Sequence, residues 1–341
     1  MRSRPRLFSA RALWCADPPD ATHGICMSAS TRLGVLDVMI LEAIEAAGAR
    51  HDRPYLKTQR TLDVLHDRTG IGPNQAYESL RDMARRYVAH LPLVDFHGNY
   101  GSPDMGPAAA RYTECRLTKL GEAALATERG ELGPLPIALI NGDLHLGRCR
   151  PPLDPTRVIE AVRVAAAGAS DDTIVDIVGL PSFPSHCDVT ADVQMFASGR
   201  MSETLASAPM LDGHDLGRVT VTITALPPFT SASRIAENIQ NAVTYYGKGP
   251  PYRPRSIDDS GPAPVIDVYD GSAGGHTALV VVGRTGASHA DVRRFLDQIP
   301  TVHQRVHIEL ERPLAHLIRD VALPSPGLGR RIDLVEQAID P

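Results

Sequence analysis

Gly98, Gly101, Pro103, Gly106 and Pro107 crowd into positions 98–107 and force a loop into the first third of the chain. The segments on either side must therefore fold as separate elements. Before the loop the apolar residues recur at helical spacing. Val35, Val38, Met39, Leu41, Ile44 and Ala47 predict a first helix, and a second is expected from about Lys57 to Asp67. The Thr69-Gly70-Ile71-Gly72-Pro73 stretch ends it. A third helix is expected from about Asn74 to Tyr87, with Arg81 and Arg85 off its apolar face and Asp82 placed to pair with Arg86. Helix, tight turn and helix outline a helix-turn-helix, though solvated helical hairpins share that outline. A fourth helix is expected from Thr118 to Glu128, and the Gly130 to Pro136 cluster reads as a domain boundary. Beyond it, Val219, Val221, Ile223 and Ala225 alternate with Thr220, Thr222 and Thr224, which marks a half-buried strand. Ile235, Ile239 and Val243 then mark a helix. Strands near 264–269, 277–283 and 305–310 and a helix near 289–299 complete an α+β block, and the residues after Gly329 have room for one more helix. A chain of 341 residues fits two domains at ~100–200 residues each.

Chemistry narrows on the segment after the loop. No apolar run approaches the ~18 residues of a membrane span, and five scattered cysteines (Cys15, Cys26, Cys115, Cys149, Cys187) encode neither a disulfide framework nor a zinc site, which points to a reducing cytoplasm. The formal charge of −5 gives no global attraction to a polyanion. Only Lys57, Lys119 and Lys248 are lysines, so a local anion site would be built of arginine, whose planar fork grips phosphate. Tyr112 stands beside Arg111 and near Arg116. Tyrosine is a poor nucleophile unless a cation stabilises its phenolate, and an adjacent arginine also suits charge building on a phosphoryl group. Phosphoryl transfer to Tyr112 is therefore sensible chemistry, although the dipeptide alone equally suits an interfacial tyrosine.

The run Pro92-Leu93-Val94-Asp95-Phe96-His97-Gly98-Asn99-Tyr100-Gly101-Ser102, followed by Ala108-Ala109-Ala110-Arg111-Tyr112-Thr113-Glu114-Cys115-Arg116-Leu117, resembles the PLVDGQGNFGS and AAAMRYTEARL segments of the A-type chain of bacterial DNA gyrase and topoisomerase IV, the type IIA topoisomerases. Weaker likeness flanks this block. Tyr55, Lys57 and Arg60 follow the family's YxKxAR helix, and Tyr77 to Ala84 its YDALVRMA helix. Pro136, Asn141-Gly142, Gly147 and Pro151-Pro152, then Gly179 to Pro184, then Val221 to Pro227 with Arg234 and Ile235, follow later family segments.

Residues 1–28, which lack helical periodicity, read as a disordered extension, and the resemblance implies an α+β fold for the rest: a winged-helix DNA-binding domain at 29–132, a tower-like domain at 133–323 and a tail at 324–341. The exit-gate coiled coil and the C-terminal wrapping domain are expected to be absent. It implies that Tyr112 attacks a phosphodiester of double-stranded DNA and becomes 5′-phosphotyrosyl, with Arg111 stabilising the transition state. Lys57, Arg60, Arg81, Arg85, Arg116 and Arg150 become the DNA-binding candidates. No metal ligand is expected from this chain. Mg2+ and ATP would be held by a gyrase-B-like subunit with toprim and ATPase domains, and any homodimer would be weak. Three departures stand out. The family's KYHPHGD is replaced by Arg68 to Gln75, so both histidines are gone; nothing before Val35 matches DGLKPVxRR; and Arg150 occupies the place of a DNA-wedging isoleucine. A second reading follows from them, a catalytically impaired relative that binds DNA or a partner protein. His97 reads as a surface residue or loop anchor, and Asn141 as a structural turn.

Overall fold

The computed structural model describes residues 33–142, 150–200, 202–228, 230–246, 262–272, 276–308, 310–323 and 327–339. The expected extension at 1–28, the Gly147 match and part of the tail lie outside the described residues. The first helix, α1 (Val35–Ala47), has the bounds its apolar spacing predicts, and Gly48 at φ +91° closes it in the left-handed conformation. Strand β1 (Leu56–Lys57) and helices α2 (Thr58–Thr69) and α3 (Pro73–Asp82) follow. The turn between these helices is Gly70 at φ +75°, Ile71 and Gly72, with Pro73 in the first turn of α3, where its missing N–H costs nothing.

α3 ends at Asp82, not at Tyr87. The Met83 carbonyl, which a longer helix would pair with residue 87, instead accepts the N–H groups of Leu93 (2.9 Å) and Val94 (3.4 Å). Arg85 accordingly pairs with Asp82 in place of the expected Asp82–Arg86 pair. The stretch after Leu93 is likewise not all loop: Val94–His97 form β2, and β3 (Glu114–Leu117) lies between β1 and β2 in an antiparallel sheet, order β1-β3-β2. Thr118 caps α4 (Lys119–Glu128), its hydroxyl accepting from Gly121 N at 3.0 Å. Gly121 lies so close to β2 that a Cβ would sit 2.2 Å from the Leu93 carbonyl oxygen. α1 is the hub, touching α2, α3, α4 and β3.

Helices α5 (Ile137–Asn141), α6 (Pro155–Ala166) and α7 (Asp171–Val178) lead to β4 (Asp188–Thr190), α8 (Val193–Ala197) and β5 (Ser202–Ser207). Next come β6 (Met210–Asp215), β7 (Arg218–Ile223), α9 (Ala232–Thr244), β8 (Val265–Asp270), β9 (Leu279–Gly283) and α10 (His289–Leu296). The chain closes with β10 (His303–Ile308), α11 (Leu314–Ala322) and α12 (Leu328–Ile339). The alternation expected at 219–225 is β7, in a four-stranded antiparallel sheet ordered β6-β7-β9-β8. Its Val221 and Ile223, with Leu279 and Val281 of β9, bury one face against Ile235 and Ile239 of α9 and Val292 and Phe295 of α10. On the other face Leu211, Thr222, Val280 and Tyr269 stand in register across the strands.

Two hydrophobic clusters result. One draws on residues 40–206 and 306–335, so it spans both sides of position 132; the other lies wholly within 208–302. α12 packs on α4 and α6, and the fully buried guanidinium of Arg331 donates to the carbonyls of Pro134 and Val321. The fold is α+β, as expected. Among the described residues, no helix is long and apolar enough to cross a membrane.

Candidate functional site

The loop between β2 and β3 is held by its own polar groups. Asn99 accepts from Gly101 N (2.8 Å) through its side chain and from Ala108 N (2.9 Å) through its carbonyl, while its amide nitrogen donates to Gly106 O (3.3 Å). Gly98 at φ +96° packs against Thr113, and Gly101 at φ +89° lies against the backbone of Met105 and Pro107; neither backbone angle suits a side chain. The loop ends in a single 3₁₀ turn, Ala110–Tyr112, that leads into β3.

Behind that turn lies a chain of buried hydroxyls. Thr113, fully buried, donates to Thr58 Oγ1 (3.0 Å), and its carbonyl accepts Thr58 N (3.0 Å). Thr58 meets Tyr100 Oη at 2.9 Å. Tyr77 Oη donates to the Ala108 carbonyl (2.9 Å) and lies 3.2 Å from Thr113 Oγ1. Burial pushes the Tyr100 phenol far above the usual tyrosine value, so it stays a neutral hydrogen-bonding group. The residue following Tyr112 is thus locked to α2, α3 and the loop at once.

Tyr112 itself projects outward and is 66% exposed. The Arg111 guanidinium lies 4.7 Å from its ring centroid, and its hydrogen bond and charge hold the Tyr112 phenol below the ordinary tyrosine value. An accessible phenol with a raised phenolate fraction beside a fixed cation is what nucleophilic attack on a phosphodiester requires. Next to it, the outer face of the three-stranded sheet carries an ordered polar ladder. Lys57 pairs with Glu114 (2.9 Å), whose other oxygen lies 3.7 Å from His97 Nδ1. His97 stacks on Tyr55 at 3.7 Å, Arg116 covers Tyr55 at 4.1 Å and pairs with Asp95 (2.9 Å), and Tyr55 Oη also donates to Asp95. Burial alone would raise the Asp95 pKa, but the hydrogen bonds from Tyr55 and Arg116 bring it below the usual carboxylate value. His97 is therefore an anchor on an exposed face.

The remaining candidates divide. Arg60 is exposed on α2 and forms no ion pair among the described residues. Arg81 stays with the loop, donating to the Tyr100 carbonyl (3.4 Å) with its guanidinium 5.3 Å from the Tyr77 ring centroid. Arg85 is turned away. It is bound to Asp82 and stacked near Tyr87, with burial lowering its pKa. Arg150 pairs with Glu311 (3.4 Å). Arg85 and Arg150 both line a separate cleft of about 940 Å³ that is also bordered by Ser185, Leu226 and Arg234. Asn141 is structural, its side chain bonding both Leu91 N and Leu91 O at 2.9 Å.

Sequence reasoning missed Thr58 and singled out Tyr77, Tyr100 and Thr113 only within matched segments, with no role for their hydroxyls. Their one signal was hydroxyl residues in or beside the matched segments. Among the described residues one His/Asp/Glu grouping has ligand-like spacing: His51, Asp52 and Glu122. Glu122 there accepts His51 Nδ1 (2.9 Å) and lies 3.6 Å from Arg50 Nε, an ion-paired clasp between the turn after α1 and α4.

Three helices around an antiparallel sheet thus present an exposed Arg-Tyr pair on a loop held by its own polar groups. Residues 46–132 match the family model that describes the A-type chain of DNA gyrase/topoisomerase IV. Beyond this segment the likeness to curated DNA gyrase A chains continues at modest identity. It is 29% identical over 226 residues to the DNA gyrase A chain of Ureaplasma parvum serovar 3, covering 58% of this chain and 27% of the relative. It is 28% identical over 233 residues to that of Streptococcus pneumoniae serotype 4, covering 60% and 28%. The chloroplastic/mitochondrial DNA gyrase A chain of Arabidopsis thaliana is 42% identical over 91 residues, 26% of this chain and 10% of the relative. The chain spans about a quarter of the length of the first two of these curated relatives.

Proposed function

We propose that this chain is the DNA-cleaving A-type component of a type IIA topoisomerase, with Tyr112 as nucleophile. The carrying observation is the exposed Tyr112 phenol, depressed in pKa by Arg111 and seated on a turn whose next residue is fully buried. In this reading α1 to β3 form the winged helix, α2 and α3 face DNA, and the 208–302 unit extends the DNA-contacting surface as a tower. Tyr112 Oη attacks the phosphorus, the bond from phosphorus to the 3′ oxygen breaks, and the phenolic proton is made up on the departing 3′-hydroxyl. The reverse reaction reseals the strand. Arg111 neutralises charge on the phosphoryl oxygens as they crowd, and Arg60 and Lys57 bind backbone phosphates. Among the described residues no carboxylate pairs with Arg111, a donor set that suits a phosphate and not a metal ion. Mg2+ and ATP would be held by a gyrase-B-like partner, and the metal would supply Lewis-acid stabilisation when bound.

The α2–α3 turn favours one second reading, a DNA-binding relative with impaired cleavage. Gly70, Ile71 and Gly72 put no imidazole there, and the nearby His66 bonds the Ile71 carbonyl (3.0 Å). A single assay separates the two. With a toprim partner and Mg2+, wild-type protein leaves itself attached to DNA 5′ ends after denaturation, while Tyr112→Phe binds DNA and leaves no adduct. Equal adduct from both removes Tyr112 from its role, and none from either favours the second reading.

A further inference from the structure

The loop before Tyr112 is also tied from outside, by a contact that bridges the two hydrophobic clusters. Asp104, at its tip, reaches across to the start of α9. Its Oδ1 accepts the Ser233 backbone N–H at 2.8 Å and the Ser233 hydroxyl as well. Ser231 caps the same helix by accepting from Arg234 N (3.2 Å), so the first-turn N–H groups of α9 are shared between its own cap and a carboxylate 129 residues earlier in sequence. A negative charge is favoured at that end of a helix. Among the described residues, the hydrogen bonds from the loop at 98–109 to the unit at 208–302 all run through Asp104.

The loop can transmit what happens at its tip. Ser102 Oγ accepts from Asp104 N (3.3 Å) and Met105 N (3.0 Å), Ser102 N donates to Met105 O (2.9 Å), and Asn99 ties Gly101, Gly106 and Ala108. Ala108 then hands on to Tyr77, and the Ala110–Tyr112 turn follows. Loop and latch form one path from the N-terminus of α9 to the Arg-Tyr turn, two hydrogen-bonded sets joined by the short backbone between Gly101 and Ser102 and between Met105 and Gly106.

We propose that Asp104 is a positioning residue: it latches the Tyr112 loop to the first turn of α9, so that the placement of the 208–302 unit governs how Tyr112 is presented. This rests on the cleavage reading for its consequence and on the hydrogen-bond path for its existence. Burial alone would raise the Asp104 pKa, but the Ser233 and α9 hydrogen bonds hold it below the usual carboxylate value, so the latch stays charged and closed at neutral pH. The latch loosens only as pH falls through that lowered value.

Hydrogen exchange on the full chain tests the latch without DNA. Asp104→Ala is expected to reduce protection about tenfold at the Ser233 amide and, along the path, at the Ala108 amide, while the Ile44 amide in α1 keeps its protection and reports an intact fold. Asp104→Asn keeps an acceptor without the charge, and Ser233→Ala keeps the backbone donor without the hydroxyl, so both fall between Ala and wild type. With DNA and a toprim partner, Asp104→Ala should slow adduct formation about tenfold at unchanged DNA affinity, and Asp104→Asn should restore part of it. Unchanged protection at Ser233, or loss there with Ala108 unaffected, overturns the proposal, as does an unchanged adduct rate. If the wild type forms no adduct, the cleavage reading fails and the exchange data alone decide the latch.

Discussion

Two of the antiparallel sheets among the described residues, the four-stranded sheet and the sheet beside Tyr112, use their faces in opposite ways. The four-stranded sheet spends one face on helices, burying Val221, Ile223, Leu279 and Val281, and leaves Leu211 and Tyr269 on the other, 63% and 45% exposed. The three-stranded sheet beside Tyr112 is smaller, with strands of two to four residues. Its inner side meets α1 and its outer side carries the ladder of Lys57, Glu114, His97, Tyr55, Arg116 and Asp95. One sheet is a platform held by apolar area; the other is a jig held by polar pairing that fixes one exposed side chain. Stability and positioning are thus assigned to different parts of the molecule.

That division can be broken most forcefully in the platform. Leu279→Ala removes a fully buried side chain and should cost about 2–5 kcal/mol in denaturant unfolding of the 208–302 unit, with the hydroxyl chain behind Tyr112 keeping its exchange protection. Loss of protection at the Thr58 amide in that variant would mean that the two regions are one. Tyr100→Phe should do the reverse. It costs about 1–2 kcal/mol, less than the leucine, by leaving the Thr58 hydroxyl short of a partner, yet it should loosen the Thr58 amide that bonds the Thr113 carbonyl. The finest test concerns cations on the jig. Arg60→Ala should flatten the salt dependence of DNA binding by about one unit, and Lys57→Ala by less, because Glu114 already neutralises Lys57. Equal slopes would show that the Lys57–Glu114 pair opens on DNA.

How much of this the sequence held depended on the range of the interaction. Helix α1 was legible to the residue because its signal is a local period and a terminal glycine. Strand β7 was legible for the same reason, since Thr-Val alternation needs no partner to be read. The end of α3 was not, because the Met83 carbonyl is taken by residues ten positions on, at the start of β2. β2 itself hid within a glycine-rich stretch, its strand character supplied by β3. The arginines show the same limit. Their abundance pointed to anion binding, but which ones are free is decided by distant acids, Glu311 for Arg150 and Asp95 for Arg116. At the candidate site, Arg111 and Tyr112 were singled out through family resemblance. The Thr58, Tyr77, Tyr100 and Thr113 hydroxyls lie 14 to 55 positions from their partners, and only the fold brings them together.

The pairing of β5 with β10 carries a consequence for the architecture as a whole. Ser207 stands opposite His303, and the six residue pairs from there to Ser202–Ile308 join β10 to β5, the central strand of a three-stranded sheet ordered β10-β5-β4. Everything in 208–302 is, topologically, the bulb of one oversized hairpin: a guest hung from a host in which α1 and α12 share one core. Joining Ser207 to His303 with a two-residue Asn-Gly turn would excise the guest and leave the host strands in register. Because the closure entropy of a loop grows only logarithmically with its length, the host gives up little by carrying so large a guest.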